Sequence, residues 1–359
     1  MSAPPRPGLL QREPRLGWKL FAVLVAGLMG GFLGEAYSDI FYAEAELASQ
    51  GRDYLIGFRN GFMIAAVATA IEAFYMRGYR VNWIKRLPFL PAILIRVAVI
   101  TIIIRVILVG NAAATEWLTD VPILSNTNAR EQARDTLFSL GGVVLFVAIS
   151  QIGAMIGGAR AASLLLGRYF RPVEEDRVFL FVDFIGSSQL ARTLGDVQFH
   201  EVLSEFFWQI DRAIVRHGGE IVSYVGDAVI VTWRLTDDRR RNARCLRAVA
   251  DMVREMDRRA DWFEATFGHR PQFRAALHGG RVVVGECGDS RRQITFLGDT
   301  VNVAARMETH ARDSGERILI SEALLRRLEL PEGLIVEQAD RPVLRGQAEP
   351  IGLHRLRVA

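Results

Sequence analysis

The sequence predicts a chain in two parts: an α-helical membrane domain of four spans over residues 1–157, then an α+β domain over residues 177–359, joined by a short helical connector at 158–176. Three observations predict it. The long apolar runs are confined to about the first 170 residues, although hydrophobic residues make up 50% of the whole chain. Arginines and lysines gather beside alternate ends of those runs. Beyond residue 176, short β-forming runs alternate with stretches of helical period.

The apolar runs cover Leu20–Ala36, Tyr54–Met76, Pro88–Asn111 and Leu137–Leu166. Each matches or approaches the roughly 20 residues that a helix needs to cross a bilayer. The N-terminus carries Arg6, Arg12, Arg15 and Lys19, and the second loop carries Arg77, Arg80, Lys85 and Arg86, whereas the first loop holds Asp39, Glu44 and Glu46. Basic loops remain in the cytoplasm, so both termini are expected there, in a multi-pass membrane protein. This clustering explains the net charge of +4 by topology and argues against nucleic acid as a partner. Arg59, Glu72, Arg96 and Arg105 fall inside spans and must face protein or a cavity, either paired with one another or serving an unidentified ligand of the membrane domain. Gly27/Gly31, Gly30/Gly34 and Gly153/Gly157 have the spacing that lets helices approach closely. All six histidines lie after residue 176, which excludes haem held between spans by paired histidines. The two cysteines, Cys245 and Cys287, form no disulfide framework. In the connector, Pro172 should end the helix that continues the fourth span.

In the second part, Val178–Asp183 reads as a strand and Gly186–His217 as mainly helical. Glu220–Tyr224 and Ala228–Trp233 read as a hairpin turning at Gly226-Asp227, followed by a helix over Arg240–Phe267. Gln272–Leu277 and Val282–Glu286 read as a second hairpin turning at Gly279-Gly280, and Asp299–Ala311 as a helix. Strand–helix–hairpin–helix–strand is the ferredoxin-like order.

Asp183 and Asp227 then fall at strand ends with glycine nearby. Two carboxylates there can bind two divalent metals, and hard cations with few protein ligands follow the magnesium pattern. Phe184, Ile185, Gly186, Ser187 and Ser188 lead into a helix whose first N–H groups suit a triphosphate. Asn302 and Arg306 lie four apart on a later helix. This is the equipment of a phosphoryl-transfer site.

From about Asp176 onward the chain resembles the catalytic domain of class III adenylyl and guanylyl cyclases. FVDFIGSS, YVGDAVI, HGGRVVVGECG and GDTVNVAARM occur in that family's order. The resemblance implies that Asp183 and Asp227, with the backbone of Phe184, hold two Mg²⁺ (or Mn²⁺) ions per site. It also implies that Asn302 orients the ribose and Arg306 stabilises charge on the α-phosphate. Arg281 in HGGRV would contact the terminal phosphates, and Arg345 in LRGQ falls near a basic residue of the family's C-terminal region. Metals come from one subunit and the Asn/Arg pair from the other. A chain carrying both sets is therefore expected to work as a homodimer.

The base is expected to be read at Ser223 and Thr295. The family usually has lysine and aspartate at these positions, and threonine replaces the aspartate in many bacterial members. Neither residue is the glutamate of a guanylyl-specific enzyme. A hydroxyl pair can bond adenine, so the expected reaction is ATP to 3′,5′-cyclic AMP and pyrophosphate. Guanylate cyclase activity, or a silent membrane receptor with a cyclase-like dimerisation domain, is the alternative. Against silence, Asp183, Asp227, Asn302 and Arg306 are all present. The hairpin motif VGDAV is not the GG(D/E)EF of diguanylate cyclases. The spans lack the paired Gly/Pro-broken segments of a transporter.

Overall fold

The computed structural model describes residues 16–42, 50–76, 87–119, 129–156, 167–289, 292–347 and 349–359. Two compact units divide it, one from Arg15 to Gly158 and the other built from Ala159–Ala359.

The first unit contains α1 (Leu16–Tyr42), α2 (Gln50–Ala70), α3 (Phe89–Thr119) and α4 (Ala129–Ile156). Three stretches among the described residues are long and apolar enough to cross a membrane: Lys19–Ile40, Phe89–Ala114 and Ala133–Gln151. The second expected span is helical but less apolar, because Arg59, Asn60 and Glu72 interrupt it, and from Ile71 to Met76 it widens into a π-helix. The last expected span starts earlier than the sequence suggests, at Ala129, and residues 157–166 of its proposed end lie outside the described residues. Gly153/Gly157 falls partly outside them too.

Helices α1 and α2 meet backbone to backbone. Gly30 and Gly34 interlock with Gly57 and Gly61, where a Cβ on any of the four would collide with the opposing main chain. The charge problem posed by the spans is met by pairing. Arg96 Nη1 donates to Glu72 Oε1 at 3.1 Å, both side chains being buried, and Arg105 Nη1 donates to Thr136 Oγ1 at 3.0 Å. Arginine inside an apolar bundle keeps its charge, so a carboxylate or hydroxyl acceptor is what makes its burial tolerable.

The second unit runs β1 (Val173–Phe184), α5 (Ser187–Leu194), α6 (Asp196–Arg216), β2 (Glu220–Val225), β3 (Ala228–Arg234), α7 (Arg239–Asn242), α8 (Arg244–Phe267), β4 (Phe273–Cys287), β5 (Gln293–Leu297), α9 (Asp299–Ser314), β6 (Ile318–Ser321), α10 (Glu322–Leu325), β7 (Leu334–Gln338) and β8 (Leu353–Val358). The mixed sheet has the order β2-β3-β1-β4-β6-β8-β7, with β5 paired to β4. β1 sits between β3 and β4, antiparallel to both.

Residues of β1 alternate between two cores, as the two-residue period of a strand requires. Val178, Leu180, Val182 and Phe184 point into the larger core with Val202, Phe206 and Ile210 of α6 and Val249 and Met252 of α8. Phe179 and Phe181 point to the other face, where Val301 and Ala304 of α9 cover them. Asp183 continues this second row, so strand parity alone turns its carboxylate toward α9.

Two sequence expectations are corrected here. The predicted hairpin at Gly279-Gly280 is one continuous strand, paired with β1 from Phe184↔Phe273 to Val173↔Val284. The two glycines serve close packing rather than a turn: a Cβ on Gly279 would stand 2.8 Å from Leu324 Cδ1, and one on Gly280 2.8 Å from Thr300 Oγ1. Gly186–His217 is mainly helical as expected, in two helices parted at Gly195, whose φ of +79° suits glycine. β1 begins at Val173, so the last residues assigned to the connector already belong to the sheet. Tyr169 ties the approach to it: its hydroxyl donates to Glu175 and accepts from Arg177 and Arg234 at 2.9–3.1 Å.

Candidate active site

Asp183 and Asp227 come together because β1 and β3 are neighbours. Asp183 lies opposite Ala228, and the β2–β3 turn of Gly226 (φ +61°) and Asp227 closes directly beside it. The Phe184 N–H donates to the Asp227 carbonyl at 3.3 Å, which pins the turn to the end of β1. The Phe184 ring is 1% exposed and packs edge-on against Phe206 at 5.2 Å. Only its backbone is therefore available to a ligand.

The Asp183 carboxyl is pushed up to about 6, first by burial and then by the charges of Asp227 and Glu308; Arg312 and Arg274 offset part of this. Arg312 Nη2 stands 3.6 Å and Arg274 Nη1 3.8 Å from Asp183 Oδ2. A crowded pair of hard oxygen donors whose own charges oppose ionisation fits a divalent cation. No cluster of three or more His, Cys, Asp or Glu suited to a metal occurs among the described residues. The pair would thus leave most coordination positions to phosphate and water oxygens, as magnesium prefers.

The raised value has a consequence for stability. With a folded pKa near 6 and an unfolded value of 3.8, the folded state binds the proton more tightly. Stability therefore falls as pH rises from about 4 to 6 and stays lowered above. Without divalent ions at pH 7.5, Asp183→Asn should stabilise the protein by ~1–3 kcal/mol. Thermal melts in chelator would show a higher Tm for the variant that converges with wild type near pH 4. Equal Tm values at pH 7.5 would refute the strain assigned to this carboxylate.

Next to the pair, α5 starts with Gly186 (φ +80°) as its N-cap and no side chain capping it. The Ile185 N–H is taken by the Gln272 carbonyl at 2.9 Å, so of the predicted cradle the N–H groups from Gly186 through Ser188 remain for an anion.

Arg281 falls elsewhere. It is paired with Asp176, seven residues along β1 from Asp183, and seven is odd, so its side chain leaves the opposite face of the sheet. It is exposed, with Glu174 at 3.4 Å. The arginine beside Asp183 is Arg274, its direct cross-strand partner. Sequence reasoning missed Arg274 because no register between its strand and β1 was derived; pairing the two strands would have found it. Arg312 was also missed, since nothing in its local sequence ties it to Asp183.

Asn302 is exposed on α9, and Arg306 lies one turn further on. Arg312 marks where α9 meets Asp183, and Asn302 lies ten residues before it, about 15 Å along the helix axis at 1.5 Å per residue. One protomer therefore keeps Asn302 apart from its own carboxylate pair. Arg306 Nη1 is buried and meets no acceptor among the described residues. Arg345 is exposed in the turn before β8. Ser223 follows a register shift in β2. The Thr295 hydroxyl lies 3.2 Å from the Gly285 carbonyl and 3.1 Å from Cys287 Sγ. β5 curls over the sheet so that Phe296 meets Phe179 at 5.5 Å, and Val222 and Phe296, the neighbours of Ser223 and Thr295 in the chain, share one apolar cluster.

A carboxylate pair at the strand ends of a mixed sheet, an uncapped helix start beside it and Asn302 held apart on α9 define a nucleotide-processing domain. The chain belongs to the adenylate and guanylate cyclase catalytic domain family, whose model matches residues 173–355. It is 36% identical over 250 residues to adenylate cyclase 2 of Rhizobium meliloti (strain 1021), covering 68% of each chain, a stretch longer than the matched domain. It is 31% identical over 185 residues to an adenylate cyclase of Anabaena cylindrica, covering 50% of this chain and 36% of that one. In fold it is similar to a bacterial light-regulated adenylyl cyclase, with a TM-score of 0.50 and 20% identity over 66% of this chain and 67% of that chain.

Proposed function

We infer that this protein is a membrane-bound adenylate cyclase, converting ATP to 3′,5′-cyclic AMP and pyrophosphate at sites shared by two copies of the chain. The observation that carries the reading is the division of the machinery. Asp183 and Asp227 stand beside the open start of α5, while Asn302 is carried away from them along α9.

In this reading the N–H groups of Gly186 to Ser188 hold phosphate oxygens, with Arg274 and Arg312 near the departing pyrophosphate. Asn302 of a second copy orients the ribose. The ribose 3′-oxygen attacks the α-phosphorus in line as the bond to the β-phosphate oxygen breaks, and the hydroxyl proton passes to solvent. Arg306 offers its guanidinium charge to the charge that grows on the α-phosphate oxygens. Two divalent cations on Asp183, Asp227 and the Phe184 carbonyl, when bound, lower the pKa of the attacking hydroxyl and neutralise phosphate charge. At the base, a Thr295 proton directed at the Gly285 carbonyl leaves the hydroxyl's lone pairs to accept from the adenine amino group. Guanine presents a carbonyl there and finds no donor. This supports ATP over GTP.

The helical unit is proposed to cross the bacterial inner membrane four times, with both termini cytoplasmic. The glycine contact that seats α2 against the span-length α1, and the burial of Glu72 on Arg96, favour counting the less apolar second segment as a span. One experiment tests both parts. Inverted membrane vesicles supplied with ATP and Mg²⁺ or Mn²⁺ should make cyclic AMP, and right-side-out vesicles should not; a tag at the N-terminus should be accessible only in the inverted set. Cyclic GMP alone as product would overturn the substrate, and a tag accessible only from outside would overturn the four spans.

A further inference from the structure

We propose that the turn Leu344–Gln347 is a latch that sets the guanidinium of Arg306, and that Gln347 closes it. The inference rests on the reading of Arg306 as the residue that meets the α-phosphate.

Asp299, Asn302 and Arg306 occur at i, i+3 and i+7 of α9, so they form one stripe along the helix, about 10 Å from end to end. The turn lies along this stripe and is fixed at three points. Leu344 is 5% exposed and anchors in the small core with Val303 and Met307 of the same helix. Gly346, at φ +79°, presents bare backbone to Arg306: a Cβ there would stand 3.2 Å from Nη2 and 3.4 Å from both Cζ and Nη1. Gln347 closes the turn with its N–H on the Leu344 carbonyl at 2.9 Å, and its Nε2 donates to both carboxylate oxygens of Asp299, at 3.0 and 2.9 Å.

The arrangement positions Arg306 without occupying it. The turn meets the guanidinium through a face that carries no side chain, and Nη1 remains without an acceptor among the described residues. A flexible arginine on an otherwise open helix face samples many rotamers. One confined between α9 and Gly346 holds its guanidinium in one place before the substrate arrives, which is the preorganisation that charge stabilisation needs. The same turn carries Arg345, so closing it on Asp299 also places that second cation beside the stripe. Asp299 is the fixed end, at the first turn of the helix where a carboxylate is favoured by the free N–H groups.

The test uses the full-length protein in detergent with ATP and Mn²⁺. Gln347→Ala is expected to lower kcat by about 10- to 10²-fold, the range a misplacement of about 1 Å produces, with KM for ATP little changed and dimer and Tm retained. Gln347→Glu sets a second carboxylate against Asp299 and should be as slow. Adding Asp299→Asn to it supplies an amide that donates to the new carboxylate, and should return kcat to near wild type. Wild-type kcat in Gln347→Ala would overturn the latch, as would failure of the folded double variant to recover. If Gln347→Ala does not fold, the comparison of the Gln347→Glu single and double variants decides. Arg306→Ala separates the two levels: if it is inactive while Gln347→Ala is normal, only the latch falls, and if it stays active, the reading of the site falls with it.

Discussion

Asp183→Ala and Arg306→Ala should each lower cyclase activity by about 10²–10³-fold or more, and co-expressing the two should restore about a quarter of wild-type activity. The size of the single losses follows from what each group does. Removing Asp183 takes away half of the carboxylate pair, and removing Arg306 takes away a donor that meets charge only as it develops in the transition state. The recovery follows from symmetry. In a two-fold dimer, each site draws its carboxylates from one copy and its Asn/Arg pair from the other. A mixed dimer then has one site with both lesions and one with neither. Half the dimers in an equal mixture are mixed, and half of their sites are intact. The separation of Asn302 from Asp183 along α9 within one protomer is the observation behind this expectation. Differently tagged variants give the assay: the co-expressed mixture should show about a quarter of wild-type activity and mixed dimers purified through both tags about half, and mixed dimers without activity would refute the shared site.

Ser223→Glu should move the ratio of kcat/KM for GTP over ATP toward GTP by about 10²-fold or more. A carboxylate accepts from the N1–H and 2-amino groups of guanine, whereas the adenine edge there offers an acceptor and repels it. In the proposed site the native serine, as donor or acceptor, would tolerate either base and leave discrimination to Thr295. The hydroxyl of Thr295 is oriented by the Gly285 carbonyl across the β4–β5 pair. Initial rates with both nucleotides, on variants matched for dimer content, check this. An unchanged ratio in a folded Ser223→Glu protein would remove Ser223 from the base pocket.

Much of this was legible in local sequence, and particular residues show why. The Gly226-Asp227 turn was readable because a two-residue hairpin needs positive φ at a position that glycine fills, between two runs of alternating apolar residues. Asp183 was readable because an apolar strand running into Gly-Ser-Ser is a strand end before a helix. Asn302 and Arg306 share a helix face by spacing alone. In the membrane unit, the Gly30/Gly34 spacing signalled close approach, and the structure supplied its partner, Gly57/Gly61.

Gly279-Gly280 shows where local reading stops. The same dipeptide marks a turn in one context and a close backbone contact in another. Here Leu324 and Thr300, distant in sequence, decide between them. The register of the continuous strand sets Arg274 opposite Asp183 and Arg281 opposite Asp176. What the sequence by itself determined was the chemistry present and its order: two carboxylates at strand ends, a Gly-Ser-Ser helix start, an Asn/Arg stripe and an apolar N-terminal half. These follow from residue type and from periods of two and 3.6, which need no knowledge of distant neighbours. Tertiary structure alone decided which of those groups meet. It put Arg274 and Arg312 on Asp183, kept Asn302 away, paired Glu72 with Arg96 and laid Gly346 under Arg306. Register, strand parity and packing between remote segments set such contacts, because a side chain's partners depend on the face and strand it shares with residues far along the chain.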